Sequence, residues 1–491
     1  MAGSIQYLII VPLAAAFLIP LFAKKARAMS WVLAQTGVFI ITVLSFMIAL
    51  SIRGKGVLVY NVGHWPVPSG ISLVVDSLSA FILIIANFVM LVIVIYSNGY
   101  IKKYSDTWKH YSLLMLVVTG VNGVLVTGDI FNMYVFLEIA SIAIYALFAF
   151  GRRKESFEAA FKYAVMSTVA SIFILLGIAV LYSRVSTLNM ADIALVLSTR
   201  ELNGGAIKFV TVLFLMGFGL KSALVPFHTW LPDAYSESPA TVPAISSGIL
   251  IKVLGVYALC RILFNVFGMQ PAVSHILLAL AVMSMVLGGV MAFGQKNIRR
   301  LLGYSSISQI GYIFLGLGIG TKLALVGSLL HILNHSVAKS LLFLNVGTLE
   351  DHSNVARRPV NSFTALVGSM SICGVPPTGG FWSKLIIILA CIEAGHIVLA
   401  LVAVAVGVLT LAYYFRALTP LLFRQVRHQE GHEKENTIPF SMGIAVVILA
   451  VISVISGVAL LPNAANELLI GAVNVLSGGV GYASIVLGAL V

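Results

Sequence analysis

Charge is scarce in this chain. Of its 491 residues only 10% are Asp, Glu, Lys or Arg, against about 25% in soluble globular proteins. With 60% of residues hydrophobic, that scarcity excludes a soluble fold and leaves a membrane protein. Cysteine is nearly missing too. Cys260, Cys373 and Cys391 all lie in apolar segments without CxxC or Cys/His spacing, which argues against a disulfide framework, a zinc site or an iron–sulfur cluster. No GxGxxG precedes a helix and no metal-ligand cluster stands out, so no cofactor is expected in this chain. Strict apolar/polar alternation is missing, which argues against a β-barrel and for a helical bundle. No basic residue precedes the first apolar run, Tyr7 to Phe22, whereas Lys24, Lys25 and Arg27 follow it. That reverses the charge order of a signal peptide, and the run is expected to remain as the first transmembrane helix.

What is present is a succession of apolar runs of about 20 residues, each enough to cross ~30 Å of hydrocarbon at about 1.5 Å per residue. The pattern predicts an all-α polytopic membrane protein with fourteen spans, at roughly 4–23, 29–52, 73–97, 110–128, 130–150, 159–182, 207–226, 241–264, 272–294, 300–320, 322–348, 361–396, 398–424 and 438–462. The Gly- and Ser-rich tail from Leu468 to Val491 reads as a surface or re-entrant segment. The net charge of +13 does not point to nucleic acid, because most Lys and Arg sit in short connections between spans. The odd connections hold Lys24, Lys25, Lys102, Lys103, Arg152, Arg153, Arg299, Arg300, Arg357, Arg358, Arg424, Arg427 and Lys434; the even ones hold Arg53, Lys55, Arg184, Arg200 and little else. Odd connections are therefore expected in the cytoplasm and both termini outside a plasma or inner membrane.

Two spans are interrupted. The seventh runs through VPFHTWLPDA and the twelfth carries GVPPTGG in its middle. Proline removes a backbone donor and clashes with the preceding turn, so both are expected to be broken helices. Non-helical backbone at membrane depth is tolerated only inside protein or beside a wet cavity. A pair of breaks five spans apart predicts two inverted five-helix repeats, spans 4–8 and 9–13. The chain then divides into residues 1–105, the repeats at 106–264 and 265–424, and a C-terminal part at 425–491.

Against this apolar background, Glu138, Lys221, Lys252, His331, His335 and Lys384 fall near the middle of their spans. Each is costly in hydrocarbon, so the group is expected to face protein or water and to pair. His331, His335 and Lys339 follow at i, i+4 and i+8, along one helix face. Lysines whose charge is controlled by a nearby carboxylate, linked by histidines that titrate near neutrality, make a proton relay. Simpler roles stand beside this one. Lys252 fits a structural ion pair and His335 a hydrogen-bonded packing residue. Lys339 sits near enough to a helix end to snorkel. Asp76 and Asp129 fit helix caps, Asp233 a cap for the next segment, Lys162 and Lys322 interfacial anchors, and His228 either a lining or a packing residue of its turn.

The segments TWLPDAYSESPATVPAISSGILIKVLGVYALCR, FLEIASIAIYAL, RRLLGYSSISQIGYIFLG, LLHILNHSVAKSLLFLNVGTLE and GVPPTGGFWSKL resemble the antiporter-like subunits shared by respiratory complex I, Mrp-type sodium/proton antiporters and membrane-bound hydrogenases. The resemblance spans roughly residues 70–424. It implies a fourteen-helix fold with two inverted repeats and a central hydrophilic axis. It matches Glu138 to the family's helix 5 glutamate, Lys221 and Lys252 to its helix 7 and helix 8 lysines, and His331 or His335 to its bridging histidine. Lys384 matches the terminal residue of helix 12, where lysine is similar to the D-type member of Mrp antiporters and its hydrogenase counterpart.

The expected function is that of a proton-translocating subunit in a larger membrane complex. Its expected partners are other membrane subunits and H+, with Na+ added where the complex exchanges sodium. Coupling would be to sodium exchange or to electron transfer elsewhere in the complex, with His228, Lys339 and Asp129 as accessory candidates. The rivals are a stand-alone carrier of a small solute, a non-conducting scaffold, and a quinone site at the His228 turn.

Overall fold

The computed structural model describes residues 2–23, 27–53, 56–151, 153–199, 204–351, 359–423, 438–459 and 467–489. Lys24, Lys25, Lys55, Arg152, Arg200, Arg357, Arg358, Arg424, Arg427 and Lys434, part of the expected orientation signal, lie outside the described residues. The chain begins with α1 (Tyr7–Ala23) and α2 (Arg27–Ile52). An antiparallel hairpin follows, β1 (Val57–Asn61) and β2 (Ser72–Asp76), with Val57 opposite Asp76 and Asn61 opposite Ser72. Then come α3 (Ser77–Tyr100), α4 (Thr107–Val126), α5 (Ile130–Phe148), α6 (Lys154–Val185), α7 (Met190–Thr199), α8 (Gly204–Lys221) and α9 (Trp230–Glu237). Continuous helix α10 (Thr241–Val266) leads to α11 (Pro271–Gly294), α12 (Ile298–Ile319) and α13 (Lys322–Asp351). The last part contains α14 (Pro359–Cys373), α15 (Gly379–Glu393), α16 (Ile397–Phe423), α17 (Phe440–Ala459), α18 (Glu467–Ser477) and α19 (Tyr482–Gly488).

Among the described residues, twelve helices are long and apolar enough to cross a membrane. Two expected spans are not among those twelve, for separate reasons. Helix α13 is 30 residues long, but polar side chains including His331, Asn334, His335, Lys339 and Asn345 dilute its apolar character. The twelfth expected span is divided into α14 and α15 of 15 residues each. The seventh is divided as well: α8 stops at Lys221 and α9 resumes at Trp230. The tail turns by 109° between α18 and the segment Gly479–Gly488, a bend that fits a re-entrant segment and a broken span alike. The hairpin and the short apolar helix α7 were not expected from the apolar runs.

Helix starts follow from capping chemistry. Asp76 accepts the Ser79 N–H at 2.9 Å and Asp129 the Asn132 N–H at 2.7 Å, satisfying backbone donors that a helix start leaves open. Both aspartates thus serve as caps, for α3 and α5. Asn297 does the same for α12. Asp233 does not cap. It lies in the first turn of α9 and pairs with Lys162 at 3.0 Å and Arg300 at 2.8 Å.

Helix α10 is the buried centre of the bundle, with its whole apolar window enclosed. Residues Ser246–Tyr257 and Arg261–Val266 are wound as π-helix, a form concentrated at functional sites. Two glycines let it approach its neighbours. A Cβ at Gly255 would lie 2.7 Å from the Ser222 backbone, and one at Gly248 would overlap Ser340 Oγ. The centre of the fold therefore sits between the break after α8 and the polar face of α13.

Candidate functional site

The break after α8 is held by its own backbone. Ser222 N–H donates to Phe218 O at 2.8 Å, Leu224 N–H to Gly219 O at 2.9 Å, and the Trp230 indole to Leu220 O at 3.3 Å. Ala223 adopts φ of 56°. Lys221, the last residue of α8, is thereby aimed at α5 and α6. Its Nζ lies 3.5 Å from Glu138 Oε1 and donates to Ser141 Oγ at 2.9 Å and Ser167 Oγ at 2.6 Å. Ser171 donates to the same carboxylate oxygen. The lysine side chain is 1% exposed and the glutamate 24%, so the pair has one enclosed end and one end open to the side of the bundle.

Lys252 points along its own helix. Its Nζ donates to the Ser247 carbonyl, and Lys339 and both α13 histidines lie within electrostatic reach. Among the described residues its ammonium meets no carboxylate, so the structure does not support an ion pair at this position.

The break between α14 and α15 builds the far end. Gly374 takes φ of +79° while its N–H bonds Met370 O at 3.0 Å, and a Cβ at Gly380 would overlap Ser371 O. Only glycine permits this approach. Lys384 then reaches back across the break and donates to Ile372 O at 2.6 Å, with its ammonium 4.8 Å from the centre of the Tyr312 ring. His331 shares that tyrosine, ring centres 5.7 Å apart, and its Nδ1 is 3.0 Å from Ser383 Oγ. The rings of His331 and His335 stack at 6.1 Å, as their spacing on one helix face requires.

Lys339 does not snorkel. It is fully buried, and its Nζ donates to Leu302 O at 2.9 Å and Tyr414 OH at 3.2 Å. The reason is position: α13 continues to Asp351, so Lys339 is three turns inside the helix rather than near its end. His228 is half-buried in the break and is not among the hydrogen-bond partners of Lys221. Asp129 stays with its cap, apart from the row.

The profile of the transmembrane NADH:quinone oxidoreductase/Mrp antiporter family matches residues 127–410, which is more than half of the chain and contains the row from Glu138 to Lys384. The chain belongs to that family. The N subunit of the NADH-quinone oxidoreductase of Desulforudis audaxviator is 38% identical over 77% of this chain and 78% of its own length. The D subunit of the Na(+)/H(+) antiporter of Alkalihalophilus pseudofirmus is 32% identical over 92% of this chain and 93% of its own. A chain in the structure of the Mrp complex from Dietzia sp. superposes with a TM-score of 0.89 at 25% identity, over 99% of both chains. The chain is an antiporter-like membrane subunit, and its relatives are subunits of multisubunit complexes; a stand-alone carrier is not the reading these likenesses favour.

Sequence reasoning missed one buried pair in this family member. Arg261 donates to Asp76 Oδ2 at 2.6 Å and Oδ1 at 2.9 Å, and also to Ser79 Oγ and Tyr257 OH. Burial works against the Asp76 carboxylate, but the guanidinium charge and the hydrogen bonds outweigh it and hold the group below the usual carboxylate range. Asn265 adds bonds to Val475 O at 2.7 Å and Gly479 O at 3.2 Å. One polar knot thus ties α3, α10 and the tail together. The available signal was an arginine inside the apolar run 241–264, too costly there without a partner. Hydroxyls were missed as well: Ser141, Ser167, Ser171, Ser383 and Tyr312 touch members of the charged row, and Tyr414 touches Lys339.

Proposed function

We propose that this chain carries protons through a row formed by Glu138, Lys221, Lys252, His331, His335 and Lys384. It would do so as a subunit of a complex in the plasma or inner membrane, with both termini outward. Transport would be coupled to sodium exchange or to electron transfer in partner subunits, and the chain itself would hold no cofactor. The observation that carries the reading is the Glu138–Lys221 pair at 3.5 Å, placed where α8 breaks. At that distance the Coulomb term is about 5 kcal/mol for an effective dielectric constant of about 20. Moving one partner by a few ångström therefore changes the balance between a held and a released proton. Because the carboxylate is the more exposed member, a neighbouring subunit can act on it.

The remaining groups offer the released proton successive stations. The stacked imidazoles of His331 and His335 lie between Lys252 and Lys384, and either ring can accept on one nitrogen while releasing from the other. The two broken helices at Lys221 and Lys384 support the inverted-repeat reading of residues 106–264 and 265–424. Reconstitution tests the function. The intact complex should move protons and the isolated chain little; solute uptake by the chain alone would overturn the proposal in favour of a carrier.

A further inference from the structure

A groove of about 310 Å³ lies between α2, α3 and the start of α18. Phe46, Leu50 and Arg53 line it from α2 at i, i+4 and i+7, one face of the helix. Phe81 and Ile85 line it from α3, and Leu333 of α13 closes its inner end. No member of the charged row is on its wall. Phe46 and Leu50 are exposed on the outside of the chain, so the groove opens sideways, toward whatever surrounds the bundle.

Its two ends differ. Arg53 comes directly after α2, which stops at Ile52 on the side expected to face outward. Leu333 follows Lys322, the first residue of α13, by eleven positions, which places it about 16 Å from that end of the helix. In a hydrocarbon layer ~30 Å thick that is the midplane. The groove therefore runs from the outer headgroup level to the bilayer centre, the course of one acyl chain of the outer leaflet. Along α2, from Phe46 to Arg53, it extends about 10 Å. A partner helix, about 10–12 Å across with its side chains, is too wide for a slot of this volume and length.

The polar end selects the headgroup. Arg53 Nε and Glu467 Oε2 are 3.6 Å apart, with the side chains 53% and 80% exposed. The pair is loose, and both groups keep hydrogen-bonding capacity for a third party. A guanidinium matches a phosphate, and a carboxylate accepts from a primary ammonium. Phosphate and primary ammonium on one short linker are the headgroup of phosphatidylethanolamine. Phosphatidylglycerol would bring an anion to Arg53 and no cation to Glu467, and a choline head carries no N–H to donate.

We propose that this groove is a binding site for one phosphatidylethanolamine, with its phosphate on Arg53, its ammonium on Glu467 and one chain laid between α2 and α3 down to Leu333. The site stands independently of the proton-carrying reading. Leu333 is on the helix that carries His331 and His335, so the bound chain braces that helix from the side away from the row.

The test uses vesicles holding the complete complex and a phosphatidylethanolamine with a photoreactive group near the end of one chain. Crosslinks are expected at Phe81–Ile85 or at Leu333, and unlabelled phosphatidylethanolamine should compete about tenfold better than phosphatidylglycerol or phosphatidylcholine. Ala49→Trp fills the slot from its own wall and should abolish the crosslink. Arg53→Gln should raise the competing concentration about tenfold, and Glu467→Gln should erase the preference for the ethanolamine head. Arg53→Gln, at an exposed helix end, carries the test if Ala49→Trp fails to assemble. Labelling that no unlabelled lipid competes away, equal competition by phosphatidylglycerol, or a crosslink from Leu50→Cys to a partner subunit would each overturn the proposal.

Discussion

Replacing Asp76 by Asn removes the charge that faces Arg261 and leaves the α3 cap in place, since Asn caps helices as well as Asp. The guanidinium would then be buried and unpaired, a loss that costs about 3–5 kcal/mol. Asp76→Ala should cost about 1 kcal/mol more, because the Ser79 N–H also loses its acceptor. The double variant Asp76→Asn/Arg261→Leu removes both charges. Ser79 and Tyr257 still satisfy each other at 2.9 Å, so the double variant should recover about half or more of the loss, as apolar replacement of a buried pair commonly does. The assay is thermal unfolding of the purified complex in detergent at one fixed protein concentration. The pH course follows from the depressed Asp76 group. Its contribution is fully present above about pH 4, the unfolded value, and is lost only as pH falls through the lower folded value. Between pH 5 and 8 the penalty of Asp76→Asn should therefore be constant. A double variant no more stable than the single would refute the argument that the unpaired guanidinium is what costs.

Other outcomes follow from the same contacts. Gly255→Ala forces a methyl against the Ser222 backbone and should destabilise by about 1–3 kcal/mol while slowing transport; Gly407→Ala, whose methyl would meet only Tyr312 OH at 3.6 Å, is the quiet control in the same melts. Tyr414→Phe removes one of two acceptors from buried Lys339 and should cost about 1.5–3 kcal/mol, read by unfolding of the complex. Ser141→Ala with Ser167→Ala strips both neutral partners from Lys221 and should lower proton flux while the complex still co-purifies.

The membrane class, the order of the spans and both breaks were legible because each rests on a local property: an apolar run long enough to cross, or proline and glycine within one. The row itself was legible because a charge inside such a run is conspicuous. What those runs could not supply was the partner of each charge. Ser167 and Ser171 are ordinary residues in α6, and Tyr312 is one of many aromatics, yet they contact Lys221, Glu138 and Lys384. Lys339 was misplaced for a related reason. Its distance from a helix end depended on α13 continuing past residue 348, the expected end of that span, which hydropathy does not mark. The β1–β2 hairpin was hidden because VLVYN and SLVVD are short apolar stretches whose pairing is settled by contacts beyond the local pattern.

The most direct measurement is proton flux through intact complexes carrying Glu138→Ala or Lys221→Ala, reconstituted in vesicles, with assembly checked by co-purification of the partner subunits. The account predicts complexes that assemble and carry no coupled flux above background. Wild-type flux in either assembled variant would contradict it.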